Sequence, residues 1–329
     1  MTTTSQSITD IYQTAKEALV AYGATQSVAH HVADATARSE SLGNVICGLA
    51  YLESYCIQLE SGRVNGSVEP RVERQKPSAI YVDGGFGFAQ PAFAAGLETA
   101  VTAAKENGVA SLAVGHTHTC TSLGYFTEQA AAKGVICIGM TNASPVVAAP
   151  GGKTPVIGTN PIALSVPDGA GGMAMHFDFS TSAVALGKIA MAKAAGQPIP
   201  LGWAVDAQGN PTTDPEAALA GSLVSAGGYK GWGLGLMVEI LAAGMTGSVN
   251  SLDVGGLKKA EGSPHDLGQY YLMIDPSGAP EFAARIARVS DAIAADEGAR
   301  VPGKKRNVMS HVEVPVALWT RVQQLAKGA

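Results

Sequence analysis

The stretch GNVICGLAYLESYCIQ, residues 43–58, places two thiols, Cys47 and Cys56, nine positions apart in an apolar run without His, Asp, Arg or Lys. A thiol titrates near about 8.5, and it becomes reactive only where neighbours lower that value. Nothing in this run does so, and Cys47 reads first as a small core residue. Gly115-His116-Thr117-His118-Thr119-Cys120 follows a strand-like run and precedes a helical one. Strand ends are where open α/β sheets place ligands. Its imidazoles could line a polar site, shape a loop or hold zinc. The zinc reading is the weakest, because no fourth ligand stands nearby in sequence, and no metal is expected.

Other stretches carry weaker signals. Lys188 closes Val184-Ala185-Leu186-Gly187-Lys188, and a lone lysine among apolar neighbours either snorkels or acts chemically. Gly227-Gly228-Tyr229-Lys230-Gly231-Trp232-Gly233 could cradle an anion on free amides at a helix start, with Lys230 adding charge. A tight turn into a buried helix explains the same glycines. Gly158-Thr159-Asn160-Pro161 and Thr141-Asn142-Ala143-Ser144-Pro145 are turn formers beside strands, and Asp178 or Ser180 could cap a helix. There is no G-x-G-x-x-G after a strand, no H-E-x-x-H and no G-x-S-x-G. Gly151-Gly152-Lys153-Thr154 lacks the earlier glycine of a phosphate loop, since position 147 is Val.

The elements that must position these residues follow from periodicity. Helices are expected over 8–39, broken at Gly23-Ala24-Thr25 with Thr25 or Ser27 as cap, and over 47–60. From residue 79, strands at 79–82, 111–114 and 135–140 alternate with Ala-rich helices at 90–107 and 123–133, an α/β layer pattern. Strands are expected at 161–166, 174–179 and 268–275, and helices near 182–195, 229–245 and 279–296. The chain of 329 residues is 46% hydrophobic and 15% charged with net charge −5. Its largest basic cluster is Lys304-Lys305-Arg306, which argues against a nucleic-acid or anionic-membrane partner. No secretory signal or membrane span is apparent, and the four scattered cysteines are expected as reduced thiols in a cytoplasmic protein.

Taken together, MTNASPVVAAPGGKTPVIGTNPIALSVP, FDFSTSAVALGKI, GQPIPLGWAVDAQGNPTTDPEAALAG and GGYKGWGLGLMVEILAAGMTG resemble the type-2 malate/L-lactate dehydrogenase family. That family includes ureidoglycolate, diketogulonate and sulfolactate dehydrogenases and reductases of piperideine- and pyrroline-2-carboxylate. The resemblance runs from about residue 8 to 325. It implies an α/β fold that is not a Rossmann fold, with a largely antiparallel central sheet and a smaller helical N-terminal segment. Residues 1–75 would form that segment, 76–265 the cofactor-binding domain, and 266–329 a return to the smaller part. It also implies a homodimer with NADH or NADPH as cofactor and a small carboxylate as substrate. Cofactor contacts would come from His116, His118, Thr119, Cys120, Thr121, Ser122, Thr141, Asn142, Thr159, Asn160, Asp178, Phe179, Ser180, Gly228, Tyr229, Lys230, Arg300, Pro302 and Gly303.

The departures fall where the family does its chemistry. Its Ser-His-Gly, whose His moves the proton, reads Ile46-Cys47-Gly48 here, and the Arg that holds the substrate carboxylate is replaced by Tyr51. The family's Ser-Asn-His becomes Thr117-His118-Thr119, and the imine reductases' Asp becomes Lys188. A proton donor with a pKa near neutrality is then expected from His118, His116, Lys188 or Tyr51 ahead of Cys47, a thiol that apolar neighbours would keep neutral. The first functional expectation is hydride transfer between nicotinamide and a 2-oxo or 2-hydroxy acid. The alternative is reduction of a cyclic or N-substituted 2-imino acid, whose protonated form carries its own proton. A cofactor-binding protein without activity is the third.

Overall fold

The computed structural model describes residues 2–304 and 306–329, and Lys305 of the basic cluster lies outside the described residues. The chain opens with β1 (Thr3–Ser7), α1 (Ile8–Ala21) and α2 (Gln26–Ser41), then a 3-10 turn at Val45–Cys47 and α3 (Leu49–Glu60). Ser7 caps α1 by accepting from the Asp10 amide, and Thr25 caps α2 by accepting from the Val28 amide. These helices bury Ile11, Leu19, Val32, Leu52 and Tyr55 in one apolar core. Burying each of these large side chains contributes roughly 2 kcal/mol. Near the C-terminus β14 (His311–Pro315) pairs antiparallel with β1, and α10 (Val316–Leu325) adds Val322 and Leu325 to that core.

Between them runs the larger sheet. Its strands are β2 (Arg71–Lys76), β3 (Ala79–Gly87), β4 (Val109–Thr117), β5 (Ile136–Thr141), β8 (Ile162–Pro167), β9 (Met173–Phe179) and β13 (Leu267–Ile274). They lie in the order β2-β3-β4-β13-β5-β8-β9. Of the six pairings only β3 with β4 is parallel. The crossover between that pair is α4 (Ala89–Asn107), which packs tightly on the sheet: a Cβ at Gly96 would lie 2.7 Å from both Leu112 and Val82. The alternating strand–helix rhythm before residue 140 suggests successive parallel neighbours, and the structure corrects this. After β4 the chain passes through α5 (Gly124–Ala132) to β5, yet β13 lies between β4 and β5, antiparallel to both.

A smaller five-stranded sheet joins β6 (Val147–Ala148), β7 (Pro155–Ile157), β10 (Ala204–Val205), β11 (Pro211–Thr212) and β12 (Ser222–Leu223). It carries α6 (Leu186–Ala194) and α7 (Pro215–Ala220) around Val147, Ile189 and Leu223. Then α8 (Tyr229–Glu239) passes into a π-helical turn at Ile240–Gly244. A Cβ at Gly268 would collide with the Ala242 carbonyl, so glycine is what lets β13 approach this turn. The last helix of the large half, α9 (Phe282–Ala294), is shorter than the 279–296 expected. Among the described residues all four cysteines are free, and no helix is long and apolar enough to cross a membrane.

Candidate active site

Helix α3 begins abruptly. A side chain at Gly48 would collide with the buried Glu40 carboxylate, whose Oε1 accepts from the Leu49 amide at 2.7 Å. That cap fixes the 3-10 turn, and with it Cys47, against the loop after β4. The Cys47 thiol donates to the Thr121 carbonyl at 3.5 Å, and the Tyr55 hydroxyl hydrogen-bonds Thr121 Oγ1. Tyr51 packs on Tyr55, with ring centroids 4.9 Å apart. Beside them His118 has no exposed surface. Its ring is surrounded by Tyr55 at 5.7 Å, Phe88 at 5.8 Å, Tyr51 at 6.4 Å and His265 at 4.5 Å. Neither of its nitrogens has a hydrogen-bond partner among the described residues. An orphaned buried imidazole costs about 1–3 kcal/mol, an expense proteins tolerate mainly where a ligand completes the bonds.

Burial keeps the side chains of this cluster in their neutral forms. Burial, with the Asp178 charge adding to it, pushes the Cys47 thiol up to about 11. Burial pushes the Tyr51 phenol up to about 12. Burial and then the nearby His265 hold His118 well below the usual imidazole range, and burial with the Arg63 charge brings His265 down to about 4. At neutral pH these four side chains are therefore uncharged. The thiolate chemistry of an activated cysteine has no support here.

Next to the pocket lies a cleft of about 640 Å³ lined by Asn44, Ser122, Asp178, Phe179, Arg300, Pro302, Gly303 and Arg306, among others. Six of these were expected at a cofactor: Ser122, Asp178, Phe179, Arg300, Pro302 and Gly303. Asp178 Oδ2 accepts from the Gly124 amide at 2.8 Å, at the start of α5. The residue as a whole is exposed, but burial of its carboxyl pushes it up, against the downward pull of the Gly124 and Leu123 amides. Phe179 is 47% exposed and stacked on Phe177 at 4.8 Å. The turn at Gly303 (φ 80°) lies directly on β9, where the Pro302 carbonyl accepts from the His176 amide at 3.0 Å.

The remaining loops gather past the end of β9. The Thr181 amide donates to the Thr159 carbonyl, and the Ala226 amide to the Thr181 carbonyl, both at 2.9 Å. This chain of bonds brings Thr159, Ser180 and Gly227–Gly228 side by side. Gly227 and Gly228 have φ of 63° and 65°, and a Cβ at either would meet no atom within 4 Å. The turn, and not close packing, requires glycine there. The start of α8 has no side-chain cap, and Tyr229 and Lys230 are exposed.

Thr141, Asn142 and Asn160 serve another purpose. Thr141 Oγ1 donates to the Gly268 carbonyl at 2.9 Å, and Asn142 Oδ1 accepts from the Gly268 amide at 3.1 Å. Buried Asn160 donates to Glu239 Oε2 at 2.8 Å and to the Gly235 carbonyl at 3.0 Å. These side chains are consumed inside the protein. His116 likewise bonds Asp266 at 3.0 Å and stands apart from His118, with Ser248 accepting from its amide. Thr119 Oγ1 accepts from the Thr121 amide at 3.4 Å, and Cys120 is buried. Lys188 is exposed on α6, has no ion-pair partner among the described residues, and follows Gly187, which approaches Ile46. Among the described residues five non-glycine positions have positive φ, and three of them, His116 (54°), Thr121 (62°) and Asn160 (35°), fall on expected site residues. Such strain collects at ligand sites. Sequence reasoning missed His265, Arg63 and Lys258. A lone His before a strand was the only available signal for the first.

A sequence model of the malate/L-lactate dehydrogenase family matches residues 7–314. The chain is 39% identical to a (2R)-3-sulfolactate dehydrogenase (NADP(+)) of Chromohalobacter salexigens, over 94% of each chain. It is 34% identical to a Delta(1)-pyrroline-2-carboxylate reductase of Ancylobacter novellus, over 97% of this chain and 96% of that one. Among solved structures, delta1-piperideine-2-carboxylate reductase from Pseudomonas syringae superposes with a TM-score of 0.90 at 31% identity, covering 98% of this chain and 99% of that one.

Proposed function

The chain belongs to the malate/L-lactate dehydrogenase family and is an oxidoreductase of a small acid or imino acid, and on that premise we propose that it reduces a small 2-imino carboxylate with NADPH. NADPH, when bound, supplies the hydride. The cleft beside Asp178 suits it: Arg300 offers charge, the exposed Phe179 ring offers a stacking face, and the Gly303 turn leaves backbone within reach. The uncapped start of α8 with Lys230 suits a phosphate. At Thr141, Asn142 and Asn160 any contact would fall to the main chain, because the side chains are already bonded.

The observation that carries the choice of substrate is the neutral pocket. Reducing a carbonyl requires a donor whose pKa lies near the working pH. Cys47 at about 11, Tyr51 at about 12 and His118, held well below the usual imidazole range, are all poorly matched. An iminium arrives with its proton, so the pocket has only to bind and orient it. His118, unpartnered and neutral, can hydrogen-bond the substrate. Cys47 and Tyr51 shape the apolar wall. The 2-oxo acid reading is the second, supported by the identity to the sulfolactate dehydrogenase. It would draw its proton from a group outside the pocket such as Lys188.

The exposed apolar side chains of α8 and the following turn, Leu234, Met237, Ile240 and Met245, support a homodimer formed on that face. The two-part division of the chain, with residues 1–75 and 266–329 set beside a cofactor-binding part, is retained as a proposal. A panel of cyclic 2-imino acids and 2-oxo acids, followed by loss of NADPH absorbance, tests the substrate reading. Faster turnover of the imines is expected. Turnover of 2-oxo acids alone would overturn it.

A further inference from the structure

If the substrate is a carboxylate, as the functional reading above holds, something must meet its negative charge. The pocket walls do not: Cys47, Tyr51, Tyr55, His118 and His265 are neutral at neutral pH, and the nearest acid, Asp178, repels an anion. Arg63 is buried close by, with Nε and Nη1 committed to main-chain carbonyls. Nε donates to the Ser263 carbonyl at 3.0 Å, and Nη1 donates to the Gly256 and Lys259 carbonyls at 3.0 and 2.6 Å. A buried guanidinium held by carbonyls without a carboxylate partner is expensive. What it secures is the segment 255–265, gripped on both sides of residue 258. Gln58 adds a bond from Nε2 to the Lys259 carbonyl at 3.0 Å, and its Oε1 bonds His265 Nε2 at 2.7 Å.

That grip sets an exposed cation against the pocket. The Lys258 ammonium lies over the Tyr51 ring, 4.9 Å from its centroid, and has no ion-pair partner among the described residues. The preceding Leu257 backbone lies beside His118. His118 has no exposed surface, and this glycine-flanked segment is one of the elements packed beside it. The cation therefore sits on an element that borders the pocket. We propose that Lys258 is the carboxylate-binding residue of the substrate pocket, seated on the Tyr51 face and positioned by Arg63 through the Gly256 and Lys259 carbonyls.

The test measures binding and not turnover, so that it separates from the choice of reaction. Protein saturated with NADPH is titrated calorimetrically with oxamate and picolinate, and with the neutral amides oxamide and picolinamide. Lys258→Gln should weaken both carboxylates about tenfold while leaving the amides and the NADPH dissociation constant within about twofold, and Lys258→Arg should restore most of the loss. Lys258 is exposed, so its replacement leaves the core intact. Unchanged carboxylate affinity in Lys258→Gln would overturn the proposal, as would equal losses for carboxylate and amide. Failure of the wild-type protein to bind either carboxylate would overturn the proposal and the pocket assignment together. The NADPH titration, read separately, reports on the cofactor cleft.

Discussion

Two polar regions border the central sheet, and their hydrogen bonding is opposite. Beyond β8, Asn160, Glu239 and Ser251 form a closed knot. Glu239 accepts from the Ser251 amide and hydroxyl, each at 2.6 Å, and from Asn160 at 2.8 Å. Beside α3, His118 is as deeply buried as Asn160, yet its ring nitrogens make no well-formed hydrogen bond among the described residues and only approach the Leu257 backbone. In a low-dielectric interior a completed network rigidifies the chain, whereas an incomplete one costs free energy until something fills it. The first region therefore reads as scaffold and the second as the place where chemistry is received. Residue type alone does not distinguish them, since both are built from ordinary hydrogen-bonding side chains.

Substitutions can break this contrast. The largest effect on turnover is expected at His118: His118→Ala should lower kcat by about a hundredfold, in line with loss of a positioned hydrogen-bonding group at the reacting centre. Cys47→Ser should cost less than about tenfold, because the thiol is neutral and serves only as wall. Steady-state kinetics on the preferred substrate decide it, and equal large losses in both would undo the ranking. A smaller and different effect is expected at the knot. Asn160→Ala should lower stability by about 2 kcal/mol, by leaving a Glu239 oxygen short of a donor, with activity per folded molecule reduced little. Thermal unfolding measures this. A variant that kept its Tm but lost turnover would show that Asn160 belongs with the site.

Much of the scaffold was legible in the sequence. The Thr25 cap, the two N-terminal helices and the parallel β3–α4–β4 unit follow from local pattern. The position of β13 between β4 and β5 does not, because residues 267–274 reach it from well over a hundred residues downstream and no local periodicity encodes that pairing. Strand β1 went unread for a related reason. Its sequence, TTSQS, has no apolar alternation, and it is a strand only because β14 pairs with it. In the site, the positions carried over by resemblance lead to the Asp178 cleft and the 116–122 loop. They do not lead to the Arg63, Lys258 and His265 assembly, which joins residues some two hundred positions apart. Nor does sequence reveal that Asn142 and Asn160 are spent on internal bonds while His118 is free.

The substrate brings its own proton to a pocket whose walls hold no acid matched to neutral pH, and the pH profile of kcat/KM tests this most directly. His265 is down at about 4, His118 lies well below its usual range, and Cys47 and Tyr51 are up at about 11 and about 12, so none of these four side chains is matched to proton transfer near neutrality. For a cyclic 2-imino acid, kcat/KM should therefore fall with rising pH along the substrate's own titration, and it should shift when an imine of different basicity is used. A descending limb that stays at one pH whichever imine is supplied would report a protein acid and contradict the account.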